Sequence, residues 1–129
     1  MKSANCHSKR LFFSALIIVV AGCFLISCGT PEVEGVKNGT LSAFPDKTVG
    51  EAVDGFFGDP TWDVLIGDDG NTYVNVEGTI QYMSKDVQAL IQFRLDGSND
   101  TFEINALEFN GIPQSKVMLY ALIEKMYTT

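Results

Sequence analysis

The sequence predicts an α+β fold: a four-stranded antiparallel meander with a short N-terminal helix and a C-terminal helix packed on one face. Polar and apolar residues alternate along residues 72–82, which is the period of a half-buried strand. A capping-box pattern, TVGE at residues 48–51, precedes apolar residues at helical spacing. A third signal is an apolar stripe near the end of the chain, which predicts a second helix with one buried side.

The elements follow from these signals in chain order. The first helix is predicted over residues 49–57, where Gly58, Asp59 and Pro60 end it. The predicted strands cover residues 62–66, 72–82, 87–95 and 102–106, and Gly- or Asp-containing segments separate most of them. The apolar residues of the last strand stand at even positions up to Ala106 and at odd positions at Leu107 and Phe109. We therefore expect a bulge or the end of pairing near Ala106.

The final helix is predicted to begin with Pro113 in its first turn. Its apolar positions are expected to form one broad buried stripe: Val117, Leu119, Tyr120, Ala121, Leu122, Ile123 and Met126.

The N-terminal residues have the pattern of a secretory signal peptide. Residues 1–10 carry basic side chains and no acidic ones, and residues 11–26 contain no charge. The apolar run is shorter than the roughly 20 residues that a helix needs to cross a bilayer. A permanent transmembrane anchor is the alternative, because bilayers tolerate some mismatch in length.

Two segments, VAGC at residues 20–23 and LISC at residues 25–28, resemble the lipobox of bacterial lipoproteins. The resemblance implies that the cysteine thiol receives a diacylglyceryl group and that the chain is then cut just before the cysteine. We favour Cys28, because cleavage there leaves a polar mature start instead of Phe24, Leu25 and Ile26. Cys23, whose segment fits the consensus slightly better, is the alternative.

The predicted organisation is therefore a signal peptide at residues 1–27, a flexible tether at 28–36 and a single domain at 37–129. Residues 28–36 combine Pro, Gly and charge without periodicity. N-terminal acyl chains such as palmitate would hold the protein to a membrane of the cell envelope. In the lipoproteins that these segments resemble, an Asp after the lipidated cysteine tends to retain the protein in the inner membrane of a Gram-negative cell. Because Gly29 follows Cys28 here, the resemblance implies the outer membrane, facing the periplasm, or the outer leaflet of the plasma membrane in a Gram-positive cell.

Composition excludes several classes of chemistry. From Cys28 onward the chain has six basic and 16 acidic residues, a formal net charge of −10, and no histidine. No cysteine other than Cys28 remains, so disulfides, Cys/His zinc sites and Cys- or His-based catalysis are excluded. Such acidity disfavours nucleic acid as a partner. We expect no enzymatic activity and no cofactor.

Two acidic segments offer oxygen atoms that could bind calcium, and we interpret both as turns. They are residues 68–71 and residues 96–100. An EF-hand loop that starts at Asp96 requires Gly at its sixth position and Glu at its twelfth, where this chain has Thr101 and Leu107. We therefore expect no metal site.

The polar side of the predicted sheet is the candidate surface for a partner. Its proposed contact residues are Tyr73, Asn75, Glu77, Arg94 and Glu103. The leading interpretation is a lipid-anchored, non-enzymatic module that binds a protein or a cell-wall ligand. One alternative is an inhibitor or immunity protein against a periplasmic enzyme. Another is an envelope glycosidase that uses Glu77 and Glu103, with Arg94 between them, as a carboxylate pair.

Several segments resemble those of a group of small bacterial exported domains. They are VKNGTL (36–41), TVGEAVDGFFGDPTW (48–62), TYVNVEG (72–78), ALIQF (89–93), FEINALEFNGIPQ (102–114) and LIEKMY (122–127). The resemblance implies a compact exported domain and no particular activity. The order of elements is also loosely similar to small modules of outer-membrane assembly lipoproteins and of β-lactamase inhibitor proteins, and such a likeness of fold does not transfer function.

Overall fold

The structure is a computed structural model that describes residues 30–97 and 101–129. Within these ranges three helices accompany a five-stranded antiparallel sheet and a separate two-stranded hairpin, so the predicted α+β class is confirmed. The helices are α1 (Pro31–Lys37), α2 (Val49–Phe56) and α3 (Lys116–Thr128). The strands are β1 (Thr40–Leu41), β2 (Phe44–Thr48), β3 (Gly58–Ile66), β4 (Thr72–Tyr82), β5 (Lys85–Leu95), β6 (Phe102–Phe109) and β7 (Ile112–Pro113).

The large sheet is a meander in the order β3-β4-β5-β6-β7, with every neighbouring pair antiparallel. Its central pair, β4 and β5, is in continuous register from Tyr73↔Arg94 to Tyr82↔Lys85. The four predicted strands are present, and β7 is an additional short one. The predicted parity change is also confirmed, because the β5–β6 register shifts between Gln92 and Phe93.

All three helices contribute to one core on a single face of this sheet. Along most of β4 and β5, buried inward positions alternate with half-buried or exposed outward ones. The largest fully buried side chains are Val36, Val49, Val53, Val74, Val76, Ile80, Ile91, Phe93, Leu107, Leu119 and Met126. Because they come from the helices and from one sheet face, they form a two-layer domain.

The predicted flexible tether at residues 28–36 is wrong for residues 31–36, which belong to α1. Thr30 caps this helix, and Pro31 occupies its first turn. Val33 and Val36 lie one turn apart on the inner side and are buried in the core. Burial of apolar surface therefore holds this segment in the domain, at about 1.5–3 kcal/mol for each fully buried side chain of this kind.

The capping box predicted at the start of α2 is confirmed. The Thr48 hydroxyl accepts from the Glu51 backbone N–H at 3.1 Å, and the Glu51 carboxylate accepts from the Thr48 backbone N–H at 2.9 Å. These bonds lower the pKa of the Glu51 carboxyl. They fix the point at which the β1–β2 hairpin becomes α2.

The start of the C-terminal helix differs from the prediction. Pro113 lies in β7, and Ser115 is the N-cap, whose hydroxyl accepts from the Met118 N–H at 3.1 Å. The buried stripe contains Leu119, Leu122, Ile123 and Met126 as predicted, whereas Val117, Tyr120 and Ala121 are exposed. The stripe is therefore narrower than the apolar pattern suggested.

Neither candidate lipidation site, Cys28 or Cys23, lies within the described residues. The predicted signal peptide is outside them as well, and so is part of the predicted turn at residues 96–100. Among the helices of residues 30–97 and 101–129, none is long and apolar enough to cross a membrane.

Candidate interaction face

The outward side of the large sheet is the candidate functional surface, because the described helices pack on the inner side. We call it the open face. It comprises Thr61, Asp63 and Leu65 of β3, Tyr73, Asn75, Glu77, Thr79 and Gln81 of β4, Asp86, Gln88, Leu90, Gln92 and Arg94 of β5, and Glu103, Asn105, Ala106 and Glu108 of β6. All five residues predicted to contact a partner lie on it.

Three of those five residues form one row across the strands. Tyr73 on β4 is opposite Arg94 on β5, which is opposite Glu103 on β6. The Arg94 guanidinium donates to the Glu103 carboxylate. Both side chains are largely exposed, at 43% and 57%, so this ion pair contributes little to stability and leaves both groups accessible to a partner.

Asn75 and Glu77 lie in the next two rows. Asn75 is between Asp63 and Gln92, and Glu77 is between Thr61 and Leu90. The Asn75 Oδ1 atom is shielded from solvent and accepts no hydrogen bond from the described part of the chain. An unpartnered buried amide oxygen lowers the stability of the fold. A purely structural role therefore does not explain an asparagine at this strand position.

Tyr73 is held in place by the turn that precedes β4. Its hydroxyl donates to Asp69 Oδ2 at 2.6 Å, and its ring lies so close to Gly67 that a Cβ there would be 2.7 Å from the ring. The hydrogen bond from Tyr73 is the main reason that the pKa of the Asp69 carboxyl is lowered, and the same bond raises the pKa of Tyr73. The aromatic ring is therefore presented beside Arg94 in a fixed position.

The same hydrogen bonds account for the acidic turn at residues 68–71. Besides Tyr73, the Asp69 carboxylate accepts from the backbone N–H and the side-chain amide of Asn71, each at 3.0 Å. A carboxylate bonded in this way stabilises a turn. In the part of the chain that the structure describes, no three acidic, histidine or cysteine side chains group as metal ligands.

The two glutamates suggested for glycoside hydrolysis do not lie on neighbouring strands. Glu77 and Glu103 lie on β4 and β6, with β5 between them and four residues of offset along the strand. Strand geometry therefore separates their Cα atoms by roughly 17 Å. Glu103 is instead paired with the Arg94 guanidinium, so the register does not bring the two glutamates together as neighbours, as a glycosidase carboxyl pair requires.

Acidic side chains outnumber basic ones on the open face. Its described carboxylates are Asp63, Glu77, Asp86, Glu103 and Glu108, against the single guanidinium of Arg94. Leu90, Gln92, Asn105 and Ala106 form an uncharged patch, in which the Asn105 amide donates to Gln92 Oε1 at 2.7 Å. The face is thus predominantly acidic, with Glu77 at the midpoint of β4 and an uncharged patch beside it.

The contact residues predicted from the sequence do not include Asp63 and Glu108, which also lie on the open face. Asp63 belongs to β3, whose outward positions are polar only in part, so its alternation was a weak signal. Glu108 follows the β6 bulge. The extra residue there reverses which residues of β6 point outward, so Glu108 lies on the open face opposite Leu90. The change of parity at Leu107 and Phe109 was the available signal for Glu108.

Comparison with known proteins finds no match to this chain among family models, curated proteins or solved structures.

Proposed function

We propose that this chain is a lipid-anchored protein of the cell envelope, and that its domain is a non-enzymatic module whose open face binds another protein. The main observation behind the proposal is that the helices cover only one side of the sheet. Helices and the core occupy one side, while the other side presents mostly polar residues, half-buried or exposed, along β4 and β5. The lipobox-like segments ending at Cys28 and Cys23 support the anchor.

The open face has the size of a protein-binding site. Strands lie about 4.8 Å apart and rise about 3.4 Å per residue, so four long strands and one short strand give a surface of roughly 600–700 Å². A standard interface buries about 800 Å² on each partner. The sheet face alone therefore provides most of the area that a specific complex requires.

The distribution of charge indicates the chemistry of the partner. Interface centres are depleted in charge, and the uncharged patch around Gln92 and Asn105 is the part of the open face that fits such a centre. Because the surrounding groups are carboxylates, a basic protein surface is complementary, and long-range attraction would accelerate the encounter. The same acidity favours the second candidate function, an inhibitor or immunity protein that blocks a basic periplasmic enzyme.

The anchor is tested by labelling cells with an alkyne analogue of palmitate. We expect the wild-type chain to take up the label and Cys28→Ser to lose it, while Cys23→Ser keeps it. Equal labelling of the wild type and of the Cys28→Ser, Cys23→Ser double variant would rule out the lipoprotein assignment.

The binding face is tested with charge-reversal variants in a quantitative pull-down from envelope extract. Asp63→Lys and Glu77→Lys change the open face, whereas Asp54→Lys on α2 and Glu124→Lys on α3 make the same change on exposed helix positions. We expect a basic protein to be retained by the wild type and by the helix variants but not by the sheet variants. If the domain retained cell-wall saccharide instead of a protein, the proposed partner would be a saccharide. If all four variants retained the protein, the proposed face would be contradicted.

Loss of activity of the retained enzyme on addition of the domain would favour the inhibitor interpretation over a simple docking role. An unchanged rate in a complex that still forms would exclude it.

A further inference from the structure

The point at which the chain enters the folded domain is fixed at Thr30. The Thr30 hydroxyl accepts from the Val33 N–H at 3.2 Å, and its carbonyl accepts from the Glu34 N–H at 2.9 Å. These bonds make Thr30 the N-cap of α1. Only Gly29 lies between this cap and Cys28.

Helix α1 is bound to the rest of the domain at its other end as well. The Val49 N–H at the start of α2 donates to the Gly39 carbonyl at 2.9 Å. Gly39 also lies against Phe102 of β6, since a Cβ at this glycine would be 2.5 Å from the ring. With Val33 and Val36 in the core, α1 cannot extend to act as a spacer without breaking these contacts.

We infer that the lipid anchor at Cys28 holds the folded domain directly against the membrane surface, with no spacer between them. This inference rests on the proposed lipidation. Two residues of chain span at most about 7 Å. The headgroup region on each side of a bilayer is about 5–8 Å thick, so the start of α1 lies at the level of the headgroups.

This arrangement determines which surface remains available to a partner. Helix α1 packs on the inner side of the sheet, and the open face is on the opposite side. An anchor that enters through α1 therefore leaves the open face accessible to a second protein. Glu32 and Glu34 in α1 would lie near the headgroups, so a surface rich in zwitterionic phosphatidylethanolamine is the compatible one.

Energy transfer from Trp62 tests the inference, because Trp62 is the single tryptophan and its ring lies 5.6 Å from the Nζ of Lys37, at the end of α1. The full chain is processed in cells, purified in detergent and reconstituted into phosphatidylethanolamine-rich vesicles that carry a dansyl headgroup. One variant has a 12-residue Gly/Ser insert between Gly29 and Thr30, which adds a reach of about 17–21 Å. The control has the same insert after Thr129.

We expect the insert before Thr30 to reduce the transfer efficiency at least twofold, and the insert after Thr129 to leave it unchanged. Equal transfer in all three proteins would overturn the inference. Mass spectrometry of the mature N-terminus distinguishes the other failures. A lipid on Cys23 would leave six residues before Thr30 and overturn direct contact alone, whereas no lipid on either cysteine would overturn the proposed anchor itself.

Discussion

The rings of Phe44 and Tyr127 stack with their centroids 4.8 Å apart and their planes 19° from parallel. This contact joins the β1–β2 hairpin to the last turn of α3, so segments from the two ends of the domain meet in one place. The Tyr127 hydroxyl is buried and has no hydrogen-bond partner among the described residues. Its burial raises the pKa of Tyr127 to about 12.

Replacement of this hydroxyl should stabilise the protein. Tyr127→Phe keeps the stacked ring and removes a buried group that has lost its bonds to water, so we expect a gain of about 1 kcal/mol in the free energy of unfolding. Chemical denaturation measures it. Tyr120→Phe, at a side chain that is 59% exposed, is the matched control and should change stability by less than about 0.5 kcal/mol. A loss of stability in Tyr127→Phe would show that the hydroxyl has a partner.

The raised pKa of Tyr127 also predicts how stability depends on alkaline pH. The unfolded tyrosine releases its proton near its ordinary pKa of 10, and the folded one near 12, so the folded state binds more protons in this window. Stability contributed by this group is therefore complete below pH 10 and is lost as pH rises towards 12. We expect Tyr127→Phe to lose less stability than the wild type over this interval, as measured by urea unfolding at stepped pH. Parallel pH curves would contradict the assigned pKa.

The assignment of α1 to the folded domain predicts a cost for small changes inside it. Val36 is 1% exposed, so Val36→Ala should lower the free energy of unfolding by about 2 kcal/mol. Glu34→Ala on the exposed side of the same helix should have an effect below about 0.5 kcal/mol. A neutral Val36→Ala would restore the interpretation of this segment as a flexible tether.

The β4–β5 turn should be improvable. Met83 and Ser84 connect paired residues Tyr82 and Lys85 with φ of +52° and +65°, a left-handed conformation that side chains other than Asn and Gly adopt at a cost. We expect the double change Met83→Asn, Ser84→Gly to raise the free energy of unfolding by about 1–2 kcal/mol in thermal or urea unfolding. The same dipeptide at Val87-Gln88, inside β5, should destabilise. No gain at the turn would mean that the local conformation is less strained than its φ values indicate.

Asn75 should show opposite effects on stability and on binding. Asn75→Val removes the unpartnered amide oxygen and favours the strand, so we expect about 1 kcal/mol more stability. The same change should weaken partner retention, because Asn75 lies in the middle of the open face. Thr79→Val on the same strand is the control without a stability gain, since the Thr79 hydroxyl donates to Gln88 Oε1 at 3.2 Å. Greater stability with undiminished retention would remove Asn75 from the contact surface.

Features with a local and periodic signal were predictable from the sequence. Strand β4 has the predicted bounds because eleven residues alternate without interruption. The Thr48–Glu51 capping box was equally legible, since both partners lie within four residues. The bulge in β6 followed from the change of parity.

Other features depend on tertiary contacts. Helix α1 has seven residues, too few to be stable alone, and it exists because Val33 and Val36 enter a core built by distant residues. Thr30 followed by Pro31 is a helix-start signal in the sequence. The charged residues and the glycine of this segment made it look like a linker instead. Val117 and Tyr120 have apolar side chains in α3, and only packing shows that they lie outside the buried stripe.

The sequence predicts which residues point outward on the candidate face. It does not predict which of them lie opposite each other on neighbouring strands. Which residues face each other depends on the length of each turn, and the two-residue turn at Met83 and Ser84 contains neither Asn nor Gly. The Tyr73–Arg94–Glu103 row and the separation of Glu77 from Glu103 are consequences of that register.

The central claim is that the open face is the surface at which this protein meets its partner, and site-specific photocrosslinking in intact cells tests it most directly. A photoreactive amino acid is placed at Gln92 in the middle of the open face, and in parallel at Asp54 on the exposed side of α2. The account predicts a single dominant adduct to a basic protein from position 92, lost when Asp63→Lys and Glu77→Lys are added, and none from position 54. Adducts of equal yield from both positions, or from position 54 alone, would contradict it.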